Sequence, residues 1–124
     1  MTFTSYLGMI DRKCNVVNVV RQAYEEASIL CEKTYTACPA LDLKIHNSVD
    51  QAKRGKEHSH PIFITYPPRQ MTFILVELFK NAMRATVESK GIIKMPPIHV
   101  LVAKGETDIT IKISDQVRIK TIIN

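Results

Sequence analysis

Two long segments of the chain carry apolar residues at helical spacing. In residues 15–37 these positions recur every three or four residues, and Pro39 follows shortly after. They are Val16, Val20, Ala23, Ala27 and Leu30. Because proline cannot continue a helix, the pattern predicts a helix that ends before Pro39. Its outward face would be a solvated surface with Arg21, Glu25, Glu32 and Lys33.

Residues 71–90 predict a second helix with two different faces. At about 100° per residue, one side carries an apolar stripe, made of Met71, Leu75, Leu78, Ala82 and Ala85. The other side is a polar ridge with Glu77, Lys80, Asn81, Arg84 and Glu88. Two carboxylates, an amide and two cations together suit metal and phosphate binding. The alternative is a solvated face stabilised by i, i+4 pairs such as Arg84 with Glu88.

Four short segments predict β-strands: residues 41–46, 62–66, 98–103 and 108–114. Apolar and polar residues alternate from Leu41 to His46, which is typical of a half-buried strand. Residues 104–107 predict a hairpin turn between the last two strands, and His99 is interpreted as a structural residue on its strand.

The order of these elements predicts an α+β fold, a two-layer sandwich of helices on a mixed sheet. Residues 1–14 have little pattern and are predicted to be a loop leading into the first helix. Residues 47–60 are predicted to be a second loop. His58 and His60 lie there without a carboxylate or cysteine pattern, so a solvated loop is favoured over a metal site.

Composition describes one ordinary globular domain. The 124 residues are 45% hydrophobic and 23% charged, with a net charge of +5. Basic residues cluster only at 53–56, without aromatic residues for base stacking, so no nucleic-acid partner is expected. The three cysteines, Cys14, Cys31 and Cys38, show neither metal-ligand spacing nor a disulfide framework. No apolar run approaches the ~20 residues of a membrane span, and no targeting sequence is visible.

One stretch carries a specific resemblance. The run ELFKNAMRATVE at residues 77–88 resembles the N-box of the mitochondrial pyruvate dehydrogenase kinases, which belong to the GHKL superfamily with histidine kinases and gyrase. Residues 14–17, 30–32 and 108–115 match in the same order. Branched-chain ketoacid dehydrogenase kinases share the N-box, but the first helix is more similar to the pyruvate enzymes. The resemblance covers about residues 8–116.

This resemblance implies an incomplete GHKL, or Bergerat-type, ATP-binding fold. The chain then divides into a leading loop at 1–14, a partial GHKL domain at 15–116 and a divergent tail at 117–124. The activity implied is transfer of the ATP γ-phosphoryl group to a serine of the pyruvate dehydrogenase E1 component, which inhibits that enzyme. The implied partners are E1 and the lipoyl-bearing core of the complex, with a possible homodimer, and the implied location is the mitochondrial matrix.

The resemblance also implies roles for individual residues. Asn81 would bind Mg²⁺ through its amide oxygen, as suits a hard cation that bridges phosphates. Glu77 would act as general base towards the serine hydroxyl and would lie in the ATP site. Lys80 and Arg84 would contact phosphate. Asp115 would accept a hydrogen bond from the adenine amino group. ATP and Mg²⁺ are therefore the expected cofactors.

Two positions depart from the family pattern. Phe73 occupies the place, four residues before Glu77, where the family commonly has a histidine that tunes the base. After Asp115 the family has a glycine-rich run, whereas residues 116–124 contain no glycine. Instead the β-branched Val117 and Ile119 disfavour the positive φ that glycine allows. The alternating pattern of this tail predicts an extension of the sheet.

These departures support an alternative, a non-catalytic binding or regulatory module or an inactive fragment. The alternative is also based on the expectation of a truncated sheet with an unpaired edge. The face carrying Ile109, Ile111 and Ile113 would be left uncovered and would favour association.

Overall fold

A computed structural model describes residues 11–47, 62–66, 68–114 and 117–122. The elements in chain order are β1 (Asp11–Asn15), α1 (Val16–Tyr35), β2 (Leu41–Asn47), β3 (Phe63–Tyr66), α2 (Pro68–Lys90), β4 (Ile98–Lys104), β5 (Asp108–Ile113) and β6 (Val117–Ile122). Two helices and a mixed sheet confirm the predicted α+β class. The predictions for residues 1–10, 48–60 and Asp115 fall outside the described residues.

Four strands form the main sheet in the order β2-β4-β5-β6. β2 and β4 run parallel, with Leu41 opposite Ile98 and Asn47 opposite Lys104, while the other two pairs are antiparallel. β6 extends the sheet as its alternating pattern predicted. Lys120 on β6 lies 3.2 Å from the Asp108 carboxylate on β5.

The loop predicted before the first helix was wrong for residues 11–14. These residues belong to β1, which pairs antiparallel with β3 and places Cys14 opposite Ile64. The main chain of β1 is paired with a strand about fifty residues away, so its own local pattern gives little sign of it. Cys14 is 2% exposed and begins the core.

Helix α1 begins and ends at recognisable caps. The Asn15 side chain accepts a hydrogen bond from the Asn18 N–H at 3.2 Å, as an N-cap residue does. At the other end Thr36 takes a left-handed conformation, with φ of 65°, and its N–H donates to the Glu32 carbonyl. The helix therefore ends before Pro39, as predicted.

The buried stripe of α1 matches the prediction except at its end. Val16, Val20, Ala23 and Ala27 are fully buried. Leu30, however, is 45% exposed, and its neighbour Cys31 is 6% exposed. Cys31 lies four residues after Ala27, so the stripe continues along the i, i+4 row there and turns Leu30 outwards.

The predicted stripe of α2 was wrong in its second half. The fully buried positions are Met71, Leu75, Phe79, Met83 and Val87. Leu78 and Ala82 are only partly buried, and Ala85 is exposed. Because four residues turn a helix by about 400°, an i, i+4 row drifts by about 40° per step. The buried stripe therefore winds around α2 towards the larger side chains.

One face of the sheet packs in the same core as both helices. Its six inward side chains are at most 2% exposed: Ile98, Val100, Val102, Ile109, Ile111 and Ile113. The uncovered isoleucine face expected above is therefore wrong, since α1 and α2 supply core residues beside it. Of the helices in the described ranges, neither combines the length and apolarity that a membrane span requires.

Phe79 and Phe73 test the position of this stripe. We expect Phe79→Ala to lower the free energy of unfolding by about 3–5 kcal/mol, because it leaves a cavity in the core. Phe73 lies on the same helix but is 69% exposed, so Phe73→Ala should change it by less than about 0.5 kcal/mol. Urea unfolding of both variants measures the difference, and equal losses would contradict this packing.

Candidate functional site

The polar residues of α2 form a continuous outward surface, which we call the α2 ridge. Its members are Glu77, Lys80, Asn81, Arg84 and Glu88. All are exposed except Lys80, which is partly buried. The ridge is outward because Phe79 and Met83, on the opposite side of the helix, are in the core. The predicted polar side of this helix therefore faces away from the core.

The residues at both ends of the α2 ridge make side-chain hydrogen bonds. The Lys80 Nζ donates to the Glu77 carboxylate at 3.2 Å, with the side chains 41% and 50% exposed respectively. Such an exposed pair stabilises the fold by less than about 1 kcal/mol, but it keeps a cation beside the carboxylate. At the other end Tyr35 of α1 donates to Glu88 at 3.4 Å.

A cleft of about 340 Å³ lies between parts of α1 and α2, and we call it the interhelix cleft. Its floor is mostly apolar, with Ala27, Leu30, Cys31 and Met83. Its polar lining includes three ridge residues, Lys80, Asn81 and Arg84, together with Thr34 and Tyr35. The cleft therefore suits a ligand that has both an anionic group, which the cations would bind, and an apolar part, which the floor would contact.

A second cleft of about 220 Å³, the helix–sheet cleft, lies between α2 and the end of β5. Asn81, Ala82 and Ala85 line it on the helix side, and Ile113 and Ser114 on the sheet side. The alanines leave room that larger side chains would fill. Ser114 has a φ of 55° and its N–H donates to the His99 carbonyl, which ties the end of β5 to β4.

The structure brings together some of the predicted site residues. Lys80, Asn81 and Arg84 share the interhelix cleft, and Asn81 also lines the helix–sheet cleft. Glu77 stands one helical turn before Asn81 and is outside the lining of these two clefts. Asp115 lies outside the described residues, although Ser114 immediately precedes it. Sequence reasoning did not single out Ser114, whose position inside the matched run 108–115 was its only signal.

Sequence reasoning also missed a cluster behind the interhelix cleft. The Tyr24 hydroxyl donates to the Pro39 carbonyl at 2.7 Å and lies 4.0 Å from the Cys38 Sγ. Burial, together with the nearby Cys38, raises the pKa of Tyr24 to about 12. Burial and Cys31 likewise raise the pKa of Cys38 to about 11. Both groups therefore hold their protons more tightly in the folded chain.

Histidine and carboxylate side chains give no ready-made metal site in the described ranges, where no three His, Cys, Asp or Glu side chains are grouped to hold an ion. His99 is exposed, and its Nδ1 lies 2.7 Å from the Asp42 carboxylate on the neighbouring strand. This agrees with its predicted structural role. A metal at Asn81 would need most of its ligands from a bound molecule and from water.

The amino-acid sequence is similar to those of one group of enzymes. No family model matches the chain. It is 45% identical over 112 residues to a mitochondrial pyruvate dehydrogenase (acetyl-transferring) kinase of Ascaris suum, and 44% identical over 113 residues to isozyme 4 of Homo sapiens. A probable kinase of the same name in Caenorhabditis elegans is 42% identical over 112 residues. The resemblance to the pyruvate dehydrogenase kinases is confirmed.

The similarity is broad for this chain and partial for its relatives. Each match covers 90% of this chain and 26% of the relative. The chain thus spans about a quarter of the length of the pyruvate dehydrogenase kinases it matches. All three relatives are named as mitochondrial.

Tyr24→Phe tests how the cluster behind the cleft is held. Removing the hydroxyl leaves the Pro39 carbonyl without this donor, so we expect the free energy of unfolding to fall by about 1 kcal/mol at neutral pH. Tyr35→Phe is the matched control, and its longer, exposed bond should make it nearly neutral. Denaturant unfolding measures both variants.

The same variant has an expected pH dependence. The Tyr24 phenol has a pKa raised from 10.0 to about 12 in the folded chain. The stability that depends on the protonated phenol is therefore fully present below pH 10 and is lost as pH rises towards 12. Tyr24→Phe should therefore lose less stability than the parent over this range. An identical alkaline loss in both proteins would contradict the assigned environment.

Proposed function

We propose that the α2 ridge and its two clefts form part of the nucleotide site of a pyruvate-dehydrogenase-kinase-type protein. The activity proposed is transfer of the ATP γ-phosphoryl group to a serine of the dehydrogenase E1 component. One observation carries this proposal: Asn81 is exposed at the middle of the matched run and lines both clefts. A single amide there can face the adenosine part of ATP on one side and the phosphates on the other.

Asn81 has the chemistry of a Mg²⁺ ligand in a phosphate site. Mg²⁺ prefers oxygen ligands and keeps several waters, so few protein ligands are needed when phosphate oxygens complete its shell. When bound, the ion would neutralise charge on the phosphates. Lys80 and Arg84, on either side of Asn81 along the ridge, would contact the remaining phosphate oxygens, Arg84 through its planar guanidinium.

The helix–sheet cleft is the proposed position of the adenine ring. Leu78 and Ile113 give it apolar walls, and Ala82 and Ala85 leave space between them. Thr86 and Ser114 add hydroxyl groups. A flat ring with polar edges suits such a lining. We propose that Asp115, which follows Ser114 in the chain, accepts the hydrogen bond from the adenine amino group.

Glu77 is the proposed general base. It lies four residues before Asn81, about 6 Å along the helix axis, so a serine hydroxyl beside it would be close to the phosphates. Phe73 is 69% exposed and cannot orient the carboxylate by a hydrogen bond. Lys80 donates to the carboxylate instead, at 3.2 Å. The side chain of Glu77 is half exposed, which leaves it accessible to a protein substrate.

The proposed context follows the family resemblance, and the relatives' names add that they are mitochondrial pyruvate dehydrogenase kinases. E1 and the lipoyl-bearing core are the proposed partners, the mitochondrial matrix is the proposed location, and an incomplete GHKL domain is the proposed fold. A homodimer stays a prediction. The non-catalytic alternative rested in part on an uncovered sheet face, and the burial of Ile109, Ile111 and Ile113 removes that part of its basis.

Asn81→Ala tests the nucleotide site. Loss of the amide oxygen should weaken Mg·ATP binding at least tenfold, or about 1.4 kcal/mol, in calorimetric titration. Asn18→Ala removes an exposed amide from α1 and should leave the affinity unchanged. Saturable binding that is unaffected by Asn81→Ala would contradict the assignment.

Glu77→Gln tests the base. The substitution keeps the size of the side chain but removes its proton-accepting carboxylate, so phosphoryl transfer to E1 should slow at least about 100-fold. Affinity for Mg·ATP should change little. Glu88→Gln, on the same ridge, is the matched control and should retain the parent rate. Equal rates for the two variants would rule out Glu77 as the base.

A further inference from the structure

Three sulfur atoms converge behind the interhelix cleft, and we call them the sulfur triad: Cys31, Cys38 and Met83. They come from α1, from the connection after α1, and from α2. The Cys38 Sγ lies 3.7 Å from the Met83 Sδ, and the Cys31 and Cys38 thiols are close enough for each to shift the pKa of the other. The triad is separate from the oxygen and nitrogen groups of the α2 ridge.

The backbone around the triad holds the two thiols in place. The Cys31 Sγ donates to the Ala37 carbonyl at 3.3 Å, and the Cys38 Sγ donates to the Pro39 carbonyl at 3.4 Å. The left-handed Thr36 reverses the chain between them, so Cys38 returns towards Cys31. Met83 is 1% exposed and Cys31 is 6% exposed. The Cys38 and Met83 sulfurs are therefore already in contact, and the Cys31 thiol is held against the residue before Cys38.

Such a group has the softness and spacing of a copper(I) site. Thiolate and thioether sulfurs select Cu(I) among biological metals. For metal–sulfur bonds of about 2.3 Å, three sulfurs around one ion are separated by about 4 Å, close to the Cys38–Met83 distance. Zn²⁺ prefers four ligands, usually thiolate, imidazole or carboxylate. In the described ranges the triad belongs to no group of three His, Cys, Asp or Glu side chains.

We propose that the sulfur triad binds one Cu(I) ion, through the thiolates of Cys31 and Cys38 and the thioether of Met83. Binding releases the two thiol protons to solvent and involves no change in oxidation state. The site with its ion carries one net negative charge. Lys80 and Arg84 line the same cleft as Cys31 and Met83 and provide compensating positive charge. The cleft also gives the ion its route to the triad.

An anaerobic titration of the reduced 124-residue chain with Cu(I), in competition with the Cu(I) chelator bathocuproine disulfonate, tests this site. We expect one ion per chain. Cys38→Ala should abolish binding, and Met83→Leu should weaken it at least tenfold. Cys14→Ala and Met71→Leu change a buried cysteine and a buried methionine outside the triad, so both should bind as the parent does. Binding that survives Cys38→Ala, or that the control variants lose equally, would overturn the proposal.

X-ray absorption of the copper-loaded parent gives a result that does not depend on the folding of any variant. The proposal predicts a first shell of three sulfurs at about 2.3 Å. A shell containing nitrogen or oxygen would contradict it. A parallel titration with Zn²⁺ separates copper selectivity from general thiol binding. Zn²⁺ bound as tightly as Cu(I) at the same residues would overturn the assignment to copper.

Discussion

Phe79 is fully buried at the centre of α2, and its ring meets the ring of Tyr24 on α1 edge to face, with centroids 5.8 Å apart. This contact fixes how α2 is turned about its own axis. A helix can bury only one side here, and burial of a large aromatic side chain outweighs the exposed charge pairs on the opposite side. Glu77, Asn81 and Arg84 face outwards because Phe79 and its neighbours along the i, i+4 row face inwards.

The sheet places the end of β5 beside this outward surface. β5 runs antiparallel to β4, so Ile113 at its end lies opposite Val100 near the start of β4. The Ser114 N–H then donates to the His99 carbonyl. Ser114 lines the helix–sheet cleft on the sheet side, and Asn81 and Ala85 line it on the helix side. Residues about thirty positions apart in the chain thereby share one cleft. The parallel pairing of β2 with β4 completes the sheet on the other side.

Sequence periodicity predicted both helices, five of the six described strands and the polar ridge, because each has a local pattern. It misplaced the buried stripe of α2, since the rows through Leu78 and through Phe79 are both apolar and only packing decides between them. The strand β1 was missed because its partner is distant in the chain. The roles proposed for Glu77, Asn81 and Arg84 come from their resemblance to a known motif. The clefts and the sulfur triad depend on contacts between separate elements, which one-dimensional spacing does not contain.

The proposed function depends on Asn81 as part of a nucleotide and metal site. Titration of Mn²⁺·ATP into the ¹⁵N-labelled chain, followed by nuclear magnetic resonance, tests it most directly, because the paramagnetic ion broadens signals from nearby nuclei. We expect saturable broadening centred on the Asn81 side-chain amide and extending to Lys80, Arg84 and Ser114. Broadening centred elsewhere on the folded chain, or none at saturating nucleotide, would contradict it.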